Sequence, residues 1–318
     1  MKRILVFGIA LLVLAGCSSS STTTPPIVFQ SIYVGNVGNN SISVFGPHSN
    51  GNVAPTSTIV GAATLINEPY YLFVDSSGNI WASNWTGGAA GSITKYTPGS
   101  NGNAAPANTI TGAATLLVGP CGIFVDATGK IYSANCDGAT VNVYAAGATG
   151  NATPAQSISG AATTLSFPEG LTLDSAGNIW VGDCTGATPG VKEWPNNATG
   201  NVAPMKTITN AAMTCVDGVA IDGVGNIYAA NRGGAGDAIF VFSAGSSGAS
   251  VPIQTITGAA TLLSAPYSLV LDQFGDIWAG NSTGVTSWPP GTTGNIAPSV
   301  SITGAATLVA EPWGLALH

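Results

Sequence analysis

The chain has 318 residues and a formal net charge of −7, yet only 7% of its residues are charged. Ordinary soluble domains carry roughly 25%, so solvation must come from Ser, Thr, Asn and the backbone. Seven basic residues against fourteen acidic ones leave no basic patch, which excludes nucleic acid as a partner.

In chain order, the first elements are those of an export signal. Lys2 and Arg3 make a basic n-region, and Ile4 to Leu14 form an apolar stretch too short for a lasting membrane span. Leu14-Ala15-Gly16-Cys17 resembles the lipobox of bacterial lipoproteins, in which the signal is cut before the cysteine and the thiol carries diacylglycerol. The resemblance implies a signal over 1–16, lipidation at Cys17 and attachment to a membrane, made stable by more than one acyl chain. Ser18, where inner-membrane retention would place Asp, resembles the outer-membrane sorting pattern of diderm bacteria. The expected location is therefore the cell envelope, at the periplasmic or surface side of the outer membrane. Residues 17–30 comprise the lipidated Cys and a Ser/Thr/Pro-rich flexible tether.

Residues 31–318 are filled by one phrase repeated six times. It reads roughly G-N-x-x-P-x-x-T-I-x-G-A-A-T-L followed by P-x-G-L-x-V-D-x-x-G-N-I-W-x-x-N. It starts at Gly51, Gly102, Gly150, Gly200, Gly248 and Gly294, at intervals of 51, 48, 50, 48 and 46 residues. Such a period means a solenoid, an array or a propeller. Each unit holds β-rich runs of four to six residues broken by Gly, Pro and Asn; in the second unit they are Asn108–Thr111, Gly122–Val125, Lys130–Ala134 and Thr140–Tyr144. No segment beyond the signal sustains a helical period. The Asp-x-x-Gly segments at Asp75, Asp126, Asp174, Asp222 and Asp272 read as hairpin turns whose Asp caps the turn.

Four strands per unit match the blade of a β-propeller. The chain starts with a second and third strand (31–36 and 41–45) and ends with a first strand (313–318). One blade is thus divided between the termini, and joining them removes an exposed sheet edge. The expected fold is all-β: a six-bladed propeller of four-stranded blades, closed by N- and C-terminal strands and monomeric.

The phrase P-x-G-L-x-V-D-x-x-G-N-I-W-V-x-N, best seen at 168–183 and 218–231, resembles the blade motif of NHL-repeat proteins and of streptogramin lyase (virginiamycin B lyase-like) propellers, and is similar to the gluconolactonase superfamily. The resemblance covers the whole repeat region and speaks for fold more than for activity. It implies that the first strand of each blade lines a central channel, and that the residue before its Gly lies at the channel mouth. These residues are Tyr70, Cys121, Glu169, Asp217, Tyr267 and Trp313. Strand two ends on the same face in Asn84, Asn135, Asp183, Asn231, Asn281 and Asn36, followed by Trp85, Cys136, Cys184, Arg232, Ser282 and Val37.

Two halves result. Blades three and four bring Glu169, Asp183, Asp217, Asn231 and Arg232, and the others bring Tyr70, Trp85, Tyr267 and Trp313. Aromatic faces opposite carboxylates and amides suit a glycan, a peptide or a small molecule. The bland alternative is that the Asn and Asp residues bond to the local backbone and the aromatics plug the channel. No cofactor is expected; the alternative is calcium or another divalent cation on Glu169, Asp183 and Asp217, whose oxygens are suitably hard ligands. The four cysteines beyond Cys17 suggest disulfides in an exported chain, with Cys121–Cys136 and Cys184–Cys215 as the expected pairs.

The chain has two histidines, His48 and His318, both expected on the face opposite the mouth. The streptogramin lyases use a His on the active face with a bound metal, and no residue here matches it. No G-x-S-x-G elbow, Cys-His pair or phosphate loop is present, so no catalytic residue is assigned. Lys95, Lys130, Lys192 and Lys206 are expected in solvent. The balance favours a lipid-anchored, non-catalytic binding or interaction scaffold. The alternative is a metal-dependent lyase or lactone hydrolase using Glu169 and Asp217.

Overall fold

A computed structural model describes residues 30–88, 90–233 and 236–318 of the chain. The signal, Cys17 and nearly all of the tether lie outside the described residues. Each blade is an antiparallel sheet whose four strands follow one another outward. Blade one runs through Pro69–Val74, Ile80–Asn84, Ser92–Tyr96 and Asn108–Thr111; blade three through Pro168–Leu173, Ile179–Asp183, Gly190–Trp194 and Lys206–Thr209. Asn108–Thr111, which opens the second sequence unit, is therefore the outer strand of blade one. Blade six joins C-terminal Pro312–Leu317, innermost, to Ile32–Asn36, Ser41–Phe45 and Ser57–Val60. Ser31 and His318 exchange backbone hydrogen bonds of 2.7 and 3.1 Å across this seam. The fold is the all-β six-bladed propeller expected.

There is no single core. The apolar residues of facing sheets form one cluster between each pair of neighbouring blades, such as Trp180, Val191, Val216 and Phe240 between blades three and four. Alternating strand directions put the Asp turns and the strand-three-to-four connections on one side of the ring. The mouth lies on the other.

The repeated Gly and Asn rivet neighbouring blades. The Asn103 side chain accepts the Ala63 N–H at 2.8 Å, and Asn151, Asn201, Asn295 and Asn52 serve the equivalent amides of other blades. A Cβ at Gly61, Gly112, Gly160, Gly258 or Gly304 would collide with that Asn side chain. The remaining junction breaks both halves of the rule at once. Asn210 replaces the Gly and Ala249 the Asn, and Asn210 supplies the bonds itself, accepting from Ala212 N and donating to Ser250 O.

The Asp turns act as read. Asp75 accepts from Ser77 N, Asn79 N and Trp81 Nε1. Burial opposes its ionisation, but these bonds prevail and hold its carboxyl below the usual value.

Candidate functional site at the channel mouth

The mouth is shaped by glycine and by bulges. A Cβ on Gly122 or Gly170 would run into the carbonyl of Glu169 or Asp217 in the next blade, so glycine lets the inner strands converge.

 The pairing between strands one and two slips at Pro69/Tyr71, Pro120/Ile123, Pro168/Leu171 and Val216/Gly218. The residue before the Gly falls in each slip, and such a bulge re-aims a side chain. The mouth residues Tyr70, Cys121, Glu169 and Asp217 are therefore set by a bulge, and none of them is part of the shared phrase.

Arg232 is at the centre. Its Nε lies 2.8 Å from Asp217 Oδ2, off the line of a directed hydrogen bond, so the contact is an ion pair. Its terminal nitrogen donates to Asp217 Oδ1 at 3.3 Å and lies 3.9 Å from Glu169 Oε1. Both carboxyls are fully buried, while the arginine side chain is 30% exposed. Burial drives the Glu169 carboxyl well above its usual range, and Asp217 beside it adds to the shift. Burial also raises Asp217, to about 7, against the opposing pull of Arg232. One guanidinium thus serves two buried acids, and Asp217 is the nearer of them.

The disulfides Cys121–Cys136 and Cys184–Cys215 are those expected. Each presents a sulfur to one acid: Cys136 Sγ lies 3.4 Å from Glu169 Oε2, and Cys215 Sγ 3.0 Å from Asp217 Oδ1. Arg232 also reaches the Cys215 sulfur at 3.4 Å.

The aromatic half forms a continuous ladder. Tyr267 stacks on Trp313 at 3.9 Å and 11°, Trp313 meets Tyr70 at 4.3 Å, and Tyr70 meets Trp85 at 5.2 Å. The guanidinium lies 5.3 Å from the ring centres of both Tyr267 and Trp313, which joins the charged and aromatic halves. The rings cover one another, so a ligand meets their edges and the hydroxyls of Tyr70 and Tyr267. All four rings are partly exposed.

Asp183 and Asn231 are not part of this assembly, which corrects their expected role as ligand contacts. Both are fully buried inside their blades. Asn231 accepts from Thr214 N at 2.8 Å, and Asp183 from Phe167 N at 2.8 Å. Asn36, Asn84, Asn135 and Asn281 are equally buried, each bonded to a hydroxyl of strand three such as Thr94 or Thr286. The bland reading holds for the whole ring of strand-two ends. In blade three Lys192 takes the place of that hydroxyl residue, and it forms a fully buried ion pair with Asp183. Lys192 is thus not in solvent as expected; the Asp and the Lys are a matched departure from the repeat.

This geometry also decides the fit of a divalent cation. Asp183 is held by Lys192, Asp217 by Arg232, and the cysteine sulfurs beside the acids are tied up in disulfides. The three carboxyls do not converge into a cluster among the described residues. They do not fit a calcium site.

Sequence reasoning missed Tyr71. It occupies the Gly position of strand one in blade one, where other blades have Gly122, Gly170, Gly218, Ser268 and Gly314. Its hydroxyl crosses the channel to the carbonyls of Asp217 and Tyr267, at 2.5 and 2.6 Å. The signal was present as the one bulky residue in a column of small ones. Below Tyr71 the channel continues as an apolar cavity of ≈ 210 Å³ lined by residues such as Phe124, Leu171, Val219 and Leu269. Both histidines belong to that far side: His48 lines a cleft with the Asp272 turn, and His318 lies beside Gly78 of the Asp75 turn.

No known family profile matches the chain, and no curated protein does. Solved structures match its fold. A Bacteroides caccae protein of unknown function is 11% identical with a TM-score of 0.63, covering 91% of this chain and 99% of its own. A 6-phosphogluconolactonase candidate from Bacteroides uniformis is 13% identical with a TM-score of 0.57, over 91% of this chain and 99% of its own. Virginiamycin B lyase from Staphylococcus aureus is 13% identical with a TM-score of 0.50, over 83% and 82%. The chain is a six-bladed β-propeller with the streptogramin lyase-like fold, a likeness of architecture that leaves its function to the residues of its own mouth.

Proposed function

We propose that the chain is a lipid-anchored cell-envelope propeller that acts as a non-catalytic binding module, with its ligand held at the channel mouth. The observation that carries this reading is the joining of Arg232 to both the buried acids and the aromatic ladder. It brings a partly exposed guanidinium and the phenol rings of Tyr70 and Tyr267 to one opening, a set that suits a glycan, a peptide or a polar small molecule. The test is a screen of those three classes against the purified protein, repeated with Trp313→Ala and Arg232→Gln. Saturable binding weakened by both changes supports the reading. Binding that neither change affects, with both variants folded, counts against the mouth. The anchor is tested separately by the intact mass of the mature chain, which should include diacylglycerol on Cys17.

A second reading is favoured by one observation. Asp217 raised to about 7 beside a buried Glu169 is the kind of perturbed pair found in active sites. It would be a lyase or lactone hydrolase with these two residues as its acids, working without a cation held on them. Lactone cleavage by the purified protein, lost in a folded Glu169→Gln variant, would replace the binding reading with this one.

A further inference from the structure

We propose that the Asp-turn side of blades three to five is a bilayer-contacting surface, so that the channel mouth faces away from the membrane. The inference rests on the lipid-anchor reading above and adds an orientation to it.

The observation is a second set of departures from the repeat, on the side opposite the mouth. The tip residue of the Asp turn is Ser77, Thr128 and Ala176 in blades one to three, but Val224 and Phe274 in blades four and five. The residue after the Pro of the strand-three-to-four connection is Ala107, Ala155, Ser299 and Thr56 in four blades, but Met205 in blade three and Ile253 in blade four. Val251 is 84% exposed and Val224 76%; Met205, Ile253, Phe274 and Ile296 are each about half exposed. These two kinds of loop are neighbours, since a Cβ on Gly225 or Gly275 of the turns would touch Ala244 or Pro290 of the connections. These side chains thus occupy one sector of the Asp-turn side; the leucines exposed on the mouth side, Leu65, Leu116, Leu262 and Leu308, belong to the repeat itself and are spread around the ring.

Where the chain leaves the described structure identifies the occupant. Gln30 lies in the same cleft as Phe274 and accepts the Gln273 N–H at 3.4 Å. The tether therefore enters at the edge of the apolar sector. Residues 18–29 separate Cys17 from Gln30, a reach of at most about 45 Å when fully extended. An anchor on Cys17 holds this side near the bilayer at high effective concentration. On this side of blades three to five Lys206 is the one basic residue among those described, and it pairs with Glu193. The surface therefore suits the apolar boundary of a zwitterionic bilayer rather than an anionic headgroup layer.

The test uses the mature full chain in phosphatidylcholine vesicles, with a specific protease site placed in residues 18–29 so that the propeller can be released. Hydroxyl-radical labelling is read by mass spectrometry before and after release. Met205, Val224 and Phe274 should be labelled about threefold less on the vesicle than after release, with Leu65, Leu116 and Trp313 of the mouth side unchanged. Equal labelling in both states, or protection of the mouth side, overturns the proposal. So does protection that persists after release and grows with protein concentration, which would make the sector an interface between copies. The variant Val224→Ser/Val251→Ser/Phe274→Ser should remain folded and lose the protection while staying attached. If the intact mass shows no lipid on Cys17, the anchor reading fails by itself. The surface is then judged by sedimentation of the unlipidated protein with the same vesicles: binding lost in the triple variant sustains it, and no binding overturns it.

Discussion

At the mouth two buried acids share one arginine, and this gives the folded chain an unusual pH response. Asp217 titrates at about 7 when folded against 3.8 as its ordinary value, with burial as the main cause, and Glu169 is shifted in the same direction. Between those two pH values the folded state keeps a proton that the unfolded chain has released. That contribution to stability is complete below the lower value and is lost as pH rises through the upper one. The melting temperature should therefore be higher near about pH 5 than near about pH 8, and Asp217→Asn should flatten the difference. A slope of the opposite sign would show that Asp217 is held ionised by Arg232. Tyr71 offers a second test at this scale. Tyr71→Ala removes a ring from the channel and two carbonyl contacts, and should cost about 3–5 kcal/mol in denaturant unfolding. Tyr71→Phe, which keeps the ring, should lose only about 1–2 kcal/mol.

In blade three the repeat is edited as a pair. Asp183 and Lys192 replace an amide and a hydroxyl, and neither charge reaches solvent. Removing one strands the other: Asp183→Asn or Lys192→Thr alone should destabilise by about 3–5 kcal/mol. The double variant restores the amide–hydroxyl pair of blades one and five and should recover most of the loss, which a double-mutant cycle would measure as coupling. Additive losses would show that the two side chains act independently. The strands, the Asp turns and the phase of the blades were legible in the sequence because each recurs, and recurrence reports a shared backbone. The disulfides were legible because the repeat alignment put their cysteines in adjacent loops of one face. Asp183, Asn231 and Lys192 were misread because a strand end on the mouth face can turn its side chain inward, and only the partner across the sheet decides which. Tyr71 was not legible: it breaks a column of otherwise small residues, but only the folded ring shows that its hydroxyl spans the channel.

For the whole molecule, stability is shared among six inter-blade clusters, and each blade leans on two neighbours. Deleting 312–318 takes the inner strand from blade six and exposes the apolar faces of blades five and one together. The truncated chain should lose cooperative unfolding and expand, seen as a broadened melt and a larger hydrodynamic radius. A sharp melt at an unchanged temperature would mean that the seam adds little.

The division of blade six also sets a timetable. The inner strand of blade six, Pro312–Leu317, follows all five continuous blades in chain order, whereas its three companions precede them. A nascent chain therefore cannot close the ring before the five continuous blades have been made. Ring closure is thus set by topology to follow the five continuous blades.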